Sequence, residues 1–197
     1  MTVHPKIEPA FDPVGEMTLA EFRAFVRSRP DEERWELIEG VPILNASPVS
    51  VHQIICGNLI RLLLDQKDAS GAAWMPSLGI GTRVPVSPRS LPVPDVYVHA
   101  GEPHFGHETT DAIVIFEVLS RSNRMGDQAW RKRVYASVPN CSHYVTVALK
   151  TPRVAAFDRA TGWKERKVSG LDATLELDAI SATLKLADIY RYTTVGT

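Results

Sequence analysis

The apolar and polar residues of the chain follow two spacings, one of about 3.6 residues and one of two residues. Helical spacing predicts a buried helix over residues 50–66, and short apolar runs bounded by proline or glycine predict strands. In chain order the pattern predicts a helix from Thr18 to Pro30, a strand pair around Glu39 and Gly40, the helix at 50–66, strands at 73–84, 93–98 and 112–119, a helix at 126–137, a strand at 143–149, a hairpin at 153–168, and a short strand with a helical turn in the tail. This order predicts an α/β or α+β domain built on one mixed sheet.

One carboxylate interrupts the most apolar segment of the chain. Six of the seven residues from Ile113 to Leu119 are apolar, which is typical of a strand buried on both faces, and the exception is Glu117. Desolvating an unpaired carboxylate costs several kcal/mol. The pattern therefore indicates that Glu117 has a partner, either a metal ion or an arginine of the next helix.

A second carboxylate, Asp95, lies at the start of the preceding predicted strand, 22 residues before Glu117. This separation suits neighbouring strands joined by a long loop, which would bring both carboxylates to one face of the sheet. They would repel each other unless a divalent cation or a shared proton neutralised them. Mg²⁺ prefers such oxygen ligands and can activate water against a phosphoryl group. Alternatively, Asp95 only initiates a strand or caps a turn.

The segment that follows Glu117 is basic. Residues 121–133 contain five cationic side chains and one acidic side chain, Asp127, which gives a local charge of +4. The cationic residues are Arg121, Arg124, Arg131, Lys132 and Arg133. A basic segment beside a carboxylate pair suits phosphodiester chemistry, so we expect Arg121, Arg124 and Arg133 to contact a nucleic-acid backbone. The alternative is a solvated helix face.

Helical geometry separates the two candidate cations in the middle of this segment. Each residue turns the helix by about 100°, so with Asp127 at 0° the apolar stripe is centred near about 10°. Arg131 falls at about 40°, within that stripe, whereas Lys132 falls at about 140° and faces outward. The pattern therefore favours Arg131 as the cation of the site. Lys132 could reach back only with its long side chain.

Composition limits the other classes of function. The net charge of −1 and the isoelectric point of about 6.6 give no overall basic field, so nucleic-acid binding would depend on a local patch. Cys56 and Cys141 match no disulfide framework or zinc spacing, and we expect reduced, buried thiols. The sequence shows no secretory signal and no apolar run of about 18 residues, which predicts a cytoplasmic protein without a membrane span. We expect residues 1–16 to form a flexible arm and residues 17–197 to form one domain.

Several short motifs occur in an order that resembles a known family. They are WELIEG, SPVSVHQ, PDVYV, FEVLSRSNRMGD, RKRVYASVPNCSHYVTV and GLDATLELD, and the resemblance that they carry runs from about Met17 to Tyr190. Their succession resembles the Uma-type restriction endonuclease family of the PD-(D/E)XK nuclease superfamily. The resemblance implies a restriction-endonuclease-like core, a central mixed β-sheet flanked by helices.

The resemblance also implies roles for individual residues. Asp95 and Glu117 would bind Mg²⁺ or Mn²⁺, Glu36 of WELIEG would assist, and His52 would be an accessory residue. The superfamily motif places a lysine two residues after the strand glutamate, but this chain has Leu119 there. In the family this lysine is commonly displaced to the next helix, four residues after an aspartate, which is the position of Arg131. For Glu36 the alternative is an exposed hairpin residue, and for His52 a capping or half-buried histidine with a satisfied ring.

Together these features predict a Mg²⁺-dependent endonuclease acting on DNA, with Arg131 completing the catalytic set and Lys132 as a further accessory candidate. Because arginine stays charged, Arg131 could stabilise a phosphate but could not act as a base. Two other hypotheses stay open: a catalytically impaired module used for binding or dimerisation, and a metal hydrolase acting on another phosphorylated substrate. A homodimer would suit an enzyme that cuts both strands. His104, His107 and Glu108 have a spacing that could hold a metal, but their loop context favours solvated side chains.

Overall fold

The computed structural model describes residues 15–103, 105–119 and 125–196. The described helices and strands are, in chain order, α1 (Leu19–Arg27), β1 (Trp35–Ile38), β2 (Val41–Leu44), α2 (Ser50–Ser70), β3 (Trp74–Leu78), β4 (Gly81–Thr82), β5 (Val96–Ala100), β6 (Glu108–Thr109), β7 (Val114–Leu119), α3 (Met125–Ala136), β8 (His143–Ala148), β9 (Arg153–Asp158), β10 (Glu165–Ser169), β11 (Thr174–Leu177), β12 (Ala182–Lys185) and α4 (Leu186–Ile189). The predicted contacts of Arg121 and Arg124, the position of His104 and almost all of the predicted N-terminal arm lie outside the described residues.

The central sheet has six strands in the order β10-β9-β8-β7-β5-β3. β7 and β8 are parallel, and the other neighbouring strands of this sheet are antiparallel. Parallel neighbours need a long crossover connection, and α3 provides it between β7 and β8. The predicted mixed α/β sheet flanked by helices is therefore confirmed.

Helices cover both faces of this sheet. On one face, Ile55 and Leu59 of α2 belong to a core that includes Val98 and Phe116 of the sheet. On the other face, Val134 and Tyr135 of α3 belong to a core that includes Tyr97, Ile115 and Tyr144. Because side chains alternate along a strand, Glu117 lies on the same face as Ile115, towards α3. The fold therefore directs Glu117 towards the basic helix that follows it.

A small third core holds the N-terminal helix and the first hairpin against the sheet edge. Phe22 of α1 and Leu37 of β1 are buried in it together with Leu91, and Leu37 forms a bridge with Leu91. The predicted helix start is confirmed by a complete capping box between Thr18 and Glu21. This attachment brings the hairpin, and with it Glu36, to the ends of β5 and β7.

Three sequence-based boundaries are wrong. α2 continues to Ser70 and ends at Gly71, whose φ of 66° suits glycine. The segment predicted as one strand at 73–84 forms two strands, because a turn at Gly79 passes so close to Pro94 that a Cβ would lie 1.4 Å from its carbonyl oxygen. The tail forms the hairpin of β11 and β12 before α4, where one strand was predicted.

The expectation for the two cysteines agrees with the structure. Cys56 and Cys141 are both buried and unpaired, as predicted. Among the helices of the described segments, none combines the length and the hydropathy that a bilayer span requires.

Candidate active site

Asp95 directly precedes β5, and Glu117 lies on the neighbouring antiparallel strand β7. Val96 of β5 pairs with Phe116 of β7, so continuing the register by one residue places Asp95 opposite Glu117. Two hydrogen bonds fix this arrangement: the Asp95 amide donates to the Phe116 carbonyl at 3.2 Å, and the Val118 amide donates to Asp95 Oδ2 at 2.7 Å. The second bond leaves Asp95 Oδ1 as the oxygen that can face another group.

Arg131 of α3 bridges two carboxylates that come from distant parts of the sequence. Its Nη1 donates to Glu117 Oε1 at 2.8 Å, and its Nη2 donates to Glu36 Oε2 at 2.7 Å. Its Nε lies 3.4 Å from Oδ2 of Asp127, one helical turn earlier. The Arg131 side chain is only 10% exposed, which agrees with its position in the apolar stripe of the helix. The arginine partner that the sequence suggested for Glu117 is therefore present.

Glu36 is buried, so the alternative of an exposed hairpin glutamate is wrong. One of its oxygens pairs with Arg131, and the other accepts a hydrogen bond from the Val93 amide at 3.0 Å. Both carboxylate oxygens are thus engaged by the protein. Glu36 holds the guanidinium of Arg131 in place and joins the first hairpin to the segment that leads to Asp95.

Tyr135 is a member of the cluster that the sequence analysis did not assign to the site. Its hydroxyl donates to Glu117 Oε1 at 2.9 Å and accepts from Arg131 Nη1 at 3.3 Å. The sequence could have indicated this contact, because Tyr135 follows Arg131 by four residues and residues with that spacing share a helix face. Within the described part of the chain, the hydrogen bonds to Glu117 all end on Oε1. Oε2 is therefore the oxygen that can serve as a metal ligand.

The cluster holds more negative than positive charge. Glu36, Glu117 and Asp127 contact the guanidinium of Arg131, and the charge of Asp95 acts on Glu117. Burial raises the pKa of Glu117 to about 8; Arg131 opposes this increase, whereas the charges of Asp95 and Glu36 add to it. A divalent cation beside Asp95 and Glu117 would offset both the burial cost and the repulsion. Carboxylate oxygens are also the donors that Mg²⁺ and Mn²⁺ prefer, so the residues present fit such an ion.

His52 and Cys56 approach Asp95 from α2, one helical turn apart. His52 Nε2 lies 3.1 Å from Asp95 Oδ1, and the Cys56 Sγ lies 3.7 Å from His52 Nδ1. His52 does not cap α2, whose N-cap is Val49, but its ring is half-buried and has a partner on each nitrogen. Burial raises the pKa of Cys56 to about 12, and the charges of Asp95 and Glu117 contribute. A free thiolate nucleophile at Cys56 is therefore disfavoured at neutral pH.

The cluster lies in a groove with a volume of about 2300 Å³. Small-molecule pockets commonly have volumes of about 300–1,000 Å³, so this groove suits part of a polymer better than a metabolite. Its wall includes the acidic cluster, the loop before α2 and the end of β7, with Lys150 as a further cation. The carboxylates are therefore accessible from the groove although Glu117 is almost fully covered.

The remaining sequence-based candidates lie elsewhere. Lys132 faces β9, with its Nζ 5.0 Å from the centre of the Phe157 ring. The Arg133 side chain is 67% exposed, and its Nη2 lies 3.8 Å from Glu39 Oε1. Glu108, whose loop was interpreted as solvated, is half-buried and pairs with Arg23 through both carboxylate oxygens. The structure therefore brings together Glu36, His52, Asp95, Glu117 and Arg131, and places Lys132 and Arg133 outside the cluster.

We expect Tyr135→Phe to lower the free energy of unfolding by about 1–2 kcal/mol, because it removes a hydrogen bond to a buried charged group. Tyr144→Phe is a matched control. Its hydroxyl is buried beside the same helix and, among the residues that the structure describes, has no hydrogen-bond partner. We expect that control to be neutral or stabilising. Urea denaturation of both variants measures the difference, and equal losses would contradict the assigned bond.

Comparison with known proteins places the chain in a family. A family model described as "Uma2: Putative restriction endonuclease" matches residues 19–187. The chain belongs to this family. The resemblance that the motifs indicated is thus confirmed over most of the sequence.

The fold of this Uma2-family chain is also found among solved structures. It is similar to the crystal structure of "a putative nuclease belonging to DUF820" from Anabaena variabilis ATCC 29413, with a TM-score of 0.68 and 14% sequence identity. The match covers 84% of this chain and 94% of that one. It supports the restriction-endonuclease-like core but, at this identity, only as a fold. No curated protein matches the chain.

Proposed function

We propose that this Uma2-family protein is a Mg²⁺-dependent endonuclease that hydrolyses phosphodiester bonds of DNA. The observation that carries the proposal is the acidic cluster: two carboxylates from neighbouring strands, Asp95 and Glu117, lie at a large groove beside one buried guanidinium. Membership of a family described as restriction endonucleases supports the same chemistry. Mn²⁺ is expected to replace Mg²⁺, because it accepts the same oxygen ligands.

Each residue of the cluster has a role in this proposal. Asp95 Oδ1 and Glu117 Oε2 hold the ion, which when bound supplies Lewis acidity and a more acidic water. Arg131 stabilises the negative charge that develops on the phosphate, since its own charge does not depend on pH. Glu36 and Tyr135 act as positioning residues, because their contacts fix Arg131 and Glu117.

DNA is the proposed substrate because of the groove and its surroundings. The groove is large enough for a polymer, and α3 begins with the basic segment that leads to Arg131. The overall charge of −1 offers no general attraction to a polyanion, so backbone contacts would come from local cations such as Arg133 at the surface of α3. Arg121 and Arg124 keep the same proposed role. Sequence specificity would need contacts to base edges.

A second function is favoured by one specific observation. A permanently charged arginine, bound to two carboxylates, occupies the place where the family pattern has a lysine, and Leu119 occupies the superfamily lysine position. This arrangement favours a catalytically impaired module that keeps the fold for binding or dimerisation. In that case divalent ions would still bind, but DNA would not be cut.

The test is incubation of the purified protein with supercoiled plasmid DNA and Mg²⁺ or Mn²⁺. We expect conversion to nicked or linear DNA, no conversion with a chelator, and an increase in melting temperature on addition of either ion. An increase in melting temperature without cleavage would favour the impaired module, and no response in either measurement would overturn both functions. A gel shift that weakens as salt increases identifies duplex DNA as the ligand, whereas no shift would favour another phosphorylated substrate.

Three further properties belong to this proposal. We propose one domain over residues 17–197, a cytoplasmic location and a homodimer for cutting both strands. The family match over residues 19–187 supports the first of these.

A further inference from the structure

His52, Cys56 and Asp95 form a second set of potential ligands beside the carboxylate pair. One ligand atom from each residue lies within 4.8 Å of the others. His52 and Cys56 are four residues apart on α2, so the helix itself holds them on one face. Cys56 has no role in the proposed phosphodiester chemistry. Cys56 belongs to the core that includes Ile55 and Leu59, and its Sγ also faces the ring of His52.

The separation between Cys56 and His52 suits a tetrahedral metal. Metal–sulfur and metal–nitrogen bonds of about 2.3 and 2.0 Å at a tetrahedral angle place the two ligand atoms about 3.5 Å apart. The observed separation between the Cys56 Sγ and His52 Nδ1 is 3.7 Å. Asp95 Oδ1 is the oxygen that faces His52, because Oδ2 accepts the Val118 amide. The Cys56 Sγ faces Nδ1 of His52 whereas Asp95 Oδ1 faces Nε2, so binding of one ion requires the His52 ring to turn until one nitrogen faces both groups.

The donor atoms select the kind of metal. Mg²⁺ takes oxygen ligands, so a thiolate and an imidazole contribute little to its binding. Zn²⁺ and Co²⁺ readily accept sulfur, nitrogen and oxygen together. With three protein ligands and a fourth position open to the groove, the geometry resembles that of zinc sites that bind water or substrate.

We propose that His52, Cys56 and Asp95 form a thiolate-containing site for a borderline transition metal such as Zn²⁺. This site differs from the oxygen-ligated site of Asp95 and Glu117, but the two sites share the carboxylate of Asp95. The site does not depend on nuclease activity, although it shares Asp95 with the proposed function. Because the carboxylate is shared, occupancy by Zn²⁺ changes the ligands that remain for Mg²⁺. Without a metal, His52 makes only a polar contact with Asp95 and a weak contact with the sulfur of Cys56.

The test uses Co²⁺ as a spectroscopic substitute for Zn²⁺ on the metal-free, full-length protein. We expect intense visible bands from a four-coordinate ion and a near-ultraviolet charge-transfer band from sulfur to cobalt, both removed by adding Zn²⁺. In C56S the charge-transfer band is lost. C141S is the matched control, because Cys141 is equally a buried, unpaired thiol but belongs to the core on the opposite face of the sheet; there the band is retained.

X-ray absorption of the Zn²⁺-loaded wild-type protein gives an independent measurement if C56S does not fold. We expect one sulfur neighbour at about 2.3 Å and lighter neighbours at about 2.0 Å. A shell of nitrogen and oxygen alone, or a charge-transfer band that persists in folded C56S, would overturn the proposal. Plasmid cleavage with Mg²⁺ is measured separately. If the protein cleaves DNA but shows no sulfur-to-cobalt band, only the thiolate site is refuted. If the band is present but DNA is not cleaved, only the proposed nuclease activity is refuted.

Discussion

Arg131→Ala is expected to lower the free energy of unfolding by about 3–5 kcal/mol, because it leaves Glu36 and Glu117 buried without their cation. Arg133→Ala is the matched control. Arg133 is the same residue type on the same helix, but its side chain is 67% exposed and its nearest acidic atom lies 3.8 Å away. We expect the control to change stability by less than about 0.5 kcal/mol. Chemical denaturation of the metal-free proteins measures both values.

A second substitution at Arg131 distinguishes its structural role from its proposed catalytic role. Arg131→Lys keeps a positive charge near Glu117, but an ammonium group cannot reproduce the two-sided contact of the guanidinium with Glu36 and Glu117. We expect an intermediate loss of stability and DNA cleavage that is retained or increased, since a lysine can also act in proton transfer. Unchanged cleavage in an active, folded Arg131→Ala preparation would remove Arg131 from the catalytic set.

The parts of the site that could be predicted from the sequence depend on local geometry. The apolar run around Glu117 identified a central strand, because burial on both faces leaves little room for polar residues. The inward position of Arg131 followed from the fixed rotation of about 100° per residue in a helix. Both interpretations used only residues within one element, and the structure places both side chains accordingly.

The contacts between distant elements could not be predicted in the same way. Glu36 reaches Arg131 across 95 residues because α1 and Leu37 pack the hairpin against the sheet edge, which is a property of the third core. His52 was found through the motif, yet its contact with Asp95 depends on how α2 crosses the sheet. The spacing of Cys56 from His52 can be recognised in the sequence. Two neighbouring residues on a helix indicate a ligand site, however, only when a third group is known to face them.

The break in the segment predicted as one strand has a similar origin. Residues 74–82 have strand-like composition, and although Gly79 and Gly81 could interrupt a strand, the local pattern does not say which of them does. The division at Gly79 follows from the close approach of Pro94, which leads directly to Asp95. A tertiary contact therefore both interrupts β3 and fixes the chain just before the proposed metal ligand.

Asp95→Asn is expected to abolish the increase in melting temperature caused by Mn²⁺ and to reduce Mg²⁺-dependent DNA cleavage by about 100-fold or more, since even residues behind a ligand cost about 10–100-fold when changed. The amide preserves shape, and its oxygen can still accept the Val118 amide hydrogen. Removing the charge of Asp95 also reduces the repulsion with Glu117. We therefore expect the metal-free stability to change by less than about 1 kcal/mol.

Asp65→Asn is the control for the loss of one negative charge. It shows whether the effect of Asp95→Asn depends on where that charge is lost. Asp65 lies on α2, is 65% exposed and pairs only with Arg61 among the described residues, so its replacement removes the same formal charge far from the groove. That variant should keep both the response to Mn²⁺ and the cleavage rate. If folded Asp95→Asn protein still gains stability from Mn²⁺ and still cuts plasmid DNA at the wild-type rate, Asp95 is not a metal ligand. In that case the pair of Asp95 and Glu117 cannot be the catalytic centre, because the proposed ion needs a ligand from each of them.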